Sequence, residues 1–231
     1  MREKRNYITQ LINVSKSYDT TGRGTIALKN ISFAAEPGEM ILLLGPSGSG
    51  KTTFLTLIAG MQGPTSGEVF LFGKQTNEYS QRDLQIIRAR RMGFIFQTFY
   101  LIDSLTVIQN VMMVMKFAGA DRDMAKKTAM AYLEKFGVKK LANSLPLKIS
   151  QGEKQRVAIA RALVNGAELI IADEPTGSLA SKQGMEIVEL MKKSCSDENR
   201  CVVIASHDER IVSLADRVLY LSDGEMKSGV Y

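Results

Sequence analysis

Gly45-Pro46-Ser47-Gly48-Ser49-Gly50-Lys51-Thr52 joins the apolar run Met40-Ile41-Leu42-Leu43-Leu44 to a second apolar stretch, Phe54-Leu55-Thr56-Leu57-Ile58-Ala59. This order reads as a strand, a glycine-rich turn and a helix, the arrangement that builds a phosphate cradle. Glycines without side chains let the backbone wrap closely. Its N–H groups then converge on anionic oxygens at a helix N-terminus, where the dipole favours negative charge. In such a cradle Lys51 reaches the β- and γ-phosphates and the Thr52 hydroxyl ligates Mg²⁺. Residues 45–52, with Thr53 beside them, are therefore the expected binding set for a nucleoside triphosphate.

Working outward, residues 8–72 read mainly as short strands, over 8–14, 27–33, 40–44 and 69–72, with turn signals over 19–24 and at Glu36-Pro37-Gly38. From 81 to 145 the pattern is helical, over 81–91, 107–116 and 124–136. Next come an amphipathic helix (153–164), an apolar strand (169–172), a helix (182–195), a strand (202–205), a short helix (209–215) and a closing hairpin (218–221 and 225–227). Strands alternating with helices predict an α/β fold with a parallel sheet, whose ligands lie beyond the carboxyl ends of the strands. The middle stretch reads as an inserted helical lobe.

Leu169-Ile170-Ile171-Ala172-Asp173-Glu174-Pro175 is a buried strand that ends in two carboxylates and is broken by proline. At the carboxyl end of a parallel strand these acids stand where the γ-phosphate and the metal would be. Asp173 fits the metal-side carboxylate, and Glu174 fits the group that orients or deprotonates attacking water. A third signal follows Ile149. Ser150 and Glu153 form a capping box at a helix start, and the same geometry offers a hydroxyl, an open Gly152 backbone and a positive helix end. That is a second phosphate-binding surface. A chain with one cradle and a second such surface is expected to grip the γ-phosphate from another subunit.

Over nearly its whole length the chain resembles the ATP-binding subunits of ABC (ATP-binding cassette) transporters. The phosphate loop, Ser150 and Gly152 followed by Gln155-Arg156-Val157-Ala158-Ile159-Ala160-Arg161-Ala162-Leu163, and Ala172-Asp173-Glu174-Pro175-Thr176-Gly177 occur in family order and spacing. The resemblance implies a P-loop NTPase (RecA-like) core with an antiparallel β edge subdomain and a helical subdomain at about 98–155, all within one domain spanning 1–231. It implies ATP as ligand, with Glu153 among the nucleotide-binding residues, and a head-to-tail dimer with a second copy in which Ser150 and Gly152 act in trans. Tyr18 matches the aromatic that stacks on adenine, Gln97 the glutamine at the metal and water, and His207 the γ-phosphate-sensing histidine. Similarity over 96–102 and 172–177 is greatest to the lipoprotein-releasing, macrolide-exporting and antimicrobial-peptide-exporting subgroup.

Two positions depart from the family pattern. Gln151 stands where a first signature glycine is common, and Ala180 stands where the loop after the acids usually carries aspartate. The second departure bears on coupling between the two active sites. Two competing readings are a soluble ABC ATPase of nucleic-acid repair or translation, and a kinase or GTPase. The first usually carries paired cassettes or long coiled coils, and the second lacks the serine-glycine signature.

The 231 residues, 45% of them hydrophobic, suffice for one large domain. No apolar run approaches the roughly 20 residues that cross a bilayer, and no signal-peptide core follows the charged start at 1–6. The expected location is the cytoplasm, at the inner face of the membrane through a separate transmembrane permease. Cys195 and Cys201 suggest neither disulfide nor zinc site. The net charge of +6 is scattered except at Arg88-Ala89-Arg90-Arg91. That cluster reads first as a solvated face, and no nucleic-acid partner is expected. Phe99, Tyr100, Leu101, Val111, Met112, Met113 and Met115 read mostly as lobe core. Some are left over for an apolar groove beside Gln97, which suits a partner's helix.

Overall fold

The computed structural model describes residues 7–19 and 24–228; the charged start at 1–6 and most of the expected turn over 19–24 lie outside the described residues. Strands β1 (Thr9–Tyr18) and β2 (Thr25–Ala35) pair antiparallel, followed by β3 (Met40–Leu44), helix α1 (Lys51–Ile58), β4 (Ser66–Leu71) and β5 (Lys74–Gln75). Next are α2 (Gln81–Arg91), β6 (Met92–Phe96), α3 (Val107–Phe117), α4 (Arg122–Lys135) and α5 (Gln151–Leu163). The chain finishes with β7 (Leu169–Asp173), α6 (Ser181–Glu198), β8 (Cys201–Ser206), β9 (Arg217–Ser222) and β10 (Glu225–Ser228).

These strands make two sheets. One is antiparallel in the order β2-β1-β4-β5, and the other runs β10-β9-β3-β8-β7-β6. In the larger sheet β9, β3, β8, β7 and β6 are parallel and only β10 is reversed. The unbroken apolar run of β3 follows from this placement, since a parallel strand covered on both faces has no solvent side to mark with polar residues. Its side chains alternate. Met40, Leu42 and Leu44 enter a core shared with α3 to α6, while Ile41 and Leu43 enter another shared with α1 and the antiparallel sheet. The nucleotide-loop strand is thus held from both sides.

One strand escaped the sequence reading, which ran helix through 81–145. Met92–Phe96 is β6, paired in parallel register with β7 from Met92 opposite Leu169 to Phe96 opposite Asp173. Five apolar residues are too few for a helix of their own, and Met92 and Ile95 are buried in different cores. The strand matters because it delivers Gln97 to the same sheet edge as the two carboxylates. The short helix expected over 209–215 is a 3₁₀ turn, Glu209–Leu214. Helix α6 runs past 195 to Glu198 and ends at Asn199, whose φ of 52° is a left-handed cap.

Candidate nucleotide site

The loop leaving β3 turns into α1 at Gly50, where φ is 106° and a Cβ would stand 2.5 Å from the Ala27 carbonyl oxygen. Both constraints demand glycine. Lys51, 7% exposed, starts the helix and folds its ammonium back over the loop, donating to Gly45 O at 2.7 Å and Pro46 O at 3.0 Å. Thr52 Oγ1 donates to Asp173 Oδ2 at 2.9 Å, so the hydroxyl and the carboxylate expected to serve one metal already meet. Burial is the largest influence on Asp173 and raises its pKa above the usual carboxylate value; the Thr52 hydrogen bond opposes it.

Glu174 follows β7 with φ of 48°, a left-handed geometry that costs a non-glycine residue about 1–2 kcal/mol. Three groups hold its carboxylate. His207 Nδ1 lies 2.9 Å and Ser206 Oγ 3.3 Å from Oε2, and Lys51 Nζ lies 3.7 Å from Oε1. The Glu174 N–H donates to Ala205 O at 2.9 Å, fixing the strained turn to β8. His207 itself is largely exposed. Strain concentrated at a charged turn in a cleft is the pattern of a site whose geometry matters more than its stability.

Gln97 leaves β6 beside this cluster. Its carbonyl accepts from Ser178 Oγ at 3.1 Å, and a Cβ at Gly177 would stand 2.8 Å from Gln97 Nε2, so a side chain there would displace the Gln97 amide. Tyr18, at the end of β1, donates its hydroxyl to Gln62 Oε1 at 2.7 Å, and Lys16 Nζ stands 5.2 Å from its ring centroid. Tyr18, Lys51, Thr52, Thr53, Gln97, Asp173, Glu174 and His207 line one cleft of about 880 Å³, with Ser47, Gly48 and Gly50 at its loop. Gly45, Pro46 and Ser49, also expected in the binding set, do not line the cleft: Gly45 O and Pro46 O accept from Lys51, and Ser49 is 4% exposed.

Ser150, Gly152 and Glu153 are not in that cleft. They line a separate hollow of about 130 Å³ with Arg156 and Gln183. The capping box is complete: Ser150 Oγ accepts from Glu153 N, while the Ser150 N–H and hydroxyl both donate to Glu153 Oε2 at 2.7 and 2.8 Å. Gln151 occupies the first turn of α5, exposed and compatible with the helix.

The sequence reading missed the chain's support for Gln97. Phe99 and Tyr100 adopt φ of 62° and 46°, and Arg161 reaches their carbonyls from α5. No local pattern announces consecutive left-handed residues without glycine or asparagine. At Ala180 the structure gives the departure a concrete meaning, because this residue is the N-cap of α6 and provides no side-chain cap. Ala180→Asp is expected to stabilise the fold by about 0.5–2 kcal/mol, a rise of about 2–4 °C in Tm for each kcal/mol. A thermal melt checks it, and an unchanged or lowered Tm would mean that the backbone there does not accept a cap.

Residues 28–177 match the family described as ABC transporter. An uncharacterized ABC transporter ATP-binding protein of Methanocaldococcus jannaschii, MJ1508, is 40% identical over 93% of this chain and 95% of its own length. The macrolide export ATP-binding/permease protein MacB of Haemophilus ducreyi is 35% identical over 96% of this chain, which spans only 32% of that protein. Among solved structures, a dimeric post-hydrolysis state of the ATP-binding cassette MJ0796 bound to ADP and Pi superposes with a TM-score of 0.87. It is 37% identical, covering 95% of this chain and 98% of that one.

Proposed function

We propose, from the premise that this chain belongs to the ABC transporter family, that it drives a transmembrane permease by closing on a second copy of itself around ATP. The chain is an ATP-binding and ATP-hydrolysing subunit of an ABC transporter. The observation that carries the fuller reading is the meeting of Lys51, Asp173, Glu174, His207 and Gln97 in one cleft, at the carboxyl ends of strands that neighbour one another in one sheet.

In this reading the loop 45–52 and Thr53 cradle the triphosphate, and Tyr18 stacks on adenine. Glu174 orients or deprotonates the attacking water, and His207 contacts the γ-phosphate. Thr52, Asp173 and Gln97 hold Mg²⁺. Hydroxyl, carboxylate and amide oxygens are the hard donors that this ion prefers, and it usually completes its shell with phosphates and water. Bound there, Mg²⁺ would neutralise charge on the β- and γ-oxygens. Ser150, Gly152 and Glu153, facing a hollow of their own, are assigned to the partner copy's nucleotide, and the dimeric state of the MJ0796 cassette supports that assignment.

We assign residues 98–155 to the inserted helical lobe. Where it meets the core lies a groove of about 740 Å³, lined by Met61, Ile86, Phe94, Tyr100, Met113 and Phe117 among others. Tyr100 and Phe117 are 65% and 71% exposed, whereas Val111, Met115 and Phe99 are buried, so the apolar set divides between groove and core. The groove is the proposed dock for a short permease helix. Attachment at the membrane's inner face would come through that subunit; among the described residues no helix is long and apolar enough to cross a membrane. Of the proposed macrolide, peptide and lipoprotein export types, MacB's description supports macrolide export, and the transporter relatives disfavour a role in nucleic-acid repair or translation.

Tyr100→Glu tests the groove. A carboxylate buried there without a partner is expected to cut capture of the permease in detergent at least about tenfold, corresponding to a burial cost of roughly 1.4 kcal/mol or more. Nucleotide affinity of the isolated chain should fall far less, because Tyr100, although it lines the nucleotide cleft as well as the groove, is no part of the phosphate loop 45–52; an equal loss would show that it acts through the nucleotide site instead. Undiminished capture would remove this surface from the interface. Ala180→Asp adds a second readout: restoring the family's carboxylate should raise the ATPase rate or its Hill coefficient, and unchanged values would show that inter-site coupling does not use it.

A further inference from the structure

Arg161 is a buried cation that the proposed chemistry has not used. It sits near the C-terminal end of α5, 8% exposed, and among the described residues no carboxylate pairs with it. Its guanidinium donates to two backbone carbonyls instead, Tyr100 O through Nη1 and Phe99 O through Nη2, the latter at 2.6 Å. Burial without a counter-ion lowers its pKa to about 10. An aliphatic side chain would fill the same space without that desolvation, so the carbonyls are the evident reason for the arginine.

Those carbonyls belong to the two successive left-handed residues that follow Gln97 after one intervening position. Phe96, on the other side of Gln97, stacks edge-on against Tyr100 with centroids 5.0 Å apart. Phe96 and Tyr100 line both the nucleotide cleft and the groove. The turn carrying Gln97 is thus a thin wall between two cavities, in a backbone shape that its own residues disfavour. Its clamp comes from α5, whose other end is Ser150, about 16 Å away at the helical rise of 1.5 Å per residue.

We infer that Arg161 is a positioning residue for ATP hydrolysis: it holds the strained turn 99–100 so that Gln97 faces the nucleotide, and it ties that turn to the helix that presents Ser150. The inference rests on the reading of Gln97 as part of the hydrolytic site. The guanidinium's planar fork engages both carbonyls together, which a lysine ammonium on a flexible stem does not reproduce.

Steady-state kinetics of the isolated chain with Mg·ATP test this in Arg161→Lys, which keeps charge and most of the bulk, and in Arg161→Met. Arg161→Lys is expected to lower kcat about tenfold, as displacement of an aligned group does, with KM for ATP within about threefold. Adding Tyr100→Gly to Arg161→Lys should recover at least about threefold in kcat, because glycine accepts a left-handed φ freely. A purely structural role predicts a lowered Tm and no recovery from glycine, and that result overturns the inference even if Arg161→Met fails to fold. So does wild-type kcat in Arg161→Lys beside a Gln97→Ala variant that has lost turnover. Wild-type turnover in Gln97→Ala itself would instead sink the role given to Gln97, and the inference with it.

Discussion

Glu174→Gln is expected to bind Mg·ATP with near wild-type affinity, lose turnover by at least about a hundredfold, and elute with doubled mass in Mg·ATP. The amide keeps the size and planarity of the carboxylate, so the left-handed turn at φ 48° and its N–H bond to Ala205 O should persist. What changes is the chemistry at Oε2, where His207 Nδ1 stands 2.9 Å away, since an amide cannot take a proton from water. Removing the negative charge 3.7 Å from Lys51 also leaves that ammonium wholly to the phosphates, which favours the ATP-bound closed form. With hydrolysis slowed, closed dimers accumulate rather than turn over. Size-exclusion chromatography with Mg·ATP reads the mass, and a phosphate-release assay reads the rate. A variant that binds ATP yet elutes as a monomer at every nucleotide concentration would refute either the paired-copy arrangement or the role of Glu174.

How much of this was legible in the sequence differs between the core and its connections. The phosphate loop was legible because its glycines, lysine and threonine sit between a strand and a helix whose apolar patterns are unambiguous, and the structure has β3 and α1 there. Asp173 and Glu174 were equally plain, since proline marks the strand end just after them. β6 was not, because a five-residue apolar run after a helix looks like more helix until the sheet that receives it is known. The partition of the lobe's apolar residues into groove and core was also out of reach. Phe99 and Tyr100 are adjacent and similar in chemistry, yet one is 7% and the other 65% exposed, which follows from a backbone twist that neither residue favours. Arg161 shows the same limit. Inside a helix it reads as one more surface cation, and only tertiary structure puts two carbonyls before it.

Lys51→Ala is the most damaging single change expected at this site: ATP affinity should fall by about 10²–10³-fold or more, with no measurable turnover, because a desolvated cation is taken from phosphates whose charge it offsets. The position has no substitute. Lys51 is 7% exposed at the first turn of α1, and no other lysine or arginine lines the cleft among the described residues. Its ammonium now rests on Gly45 O and Pro46 O at 2.7 and 3.0 Å, neutral acceptors that it can exchange for phosphate oxygens without crossing the site. The loop's turn should survive the substitution, since Gly50 and the Phe54 N–H bond to Gly50 O at 2.9 Å remain, although the lysine's bonds to Gly45 O and Pro46 O are lost. The loss would therefore appear in binding more than in folding, and a thermal melt without nucleotide separates the two. Lys51→Met, which restores the apolar stem without the charge, should bind ATP as poorly as Lys51→Ala. Equilibrium binding of ATP to both variants decides the matter: wild-type affinity in either would show that the triphosphate does not lie against this loop.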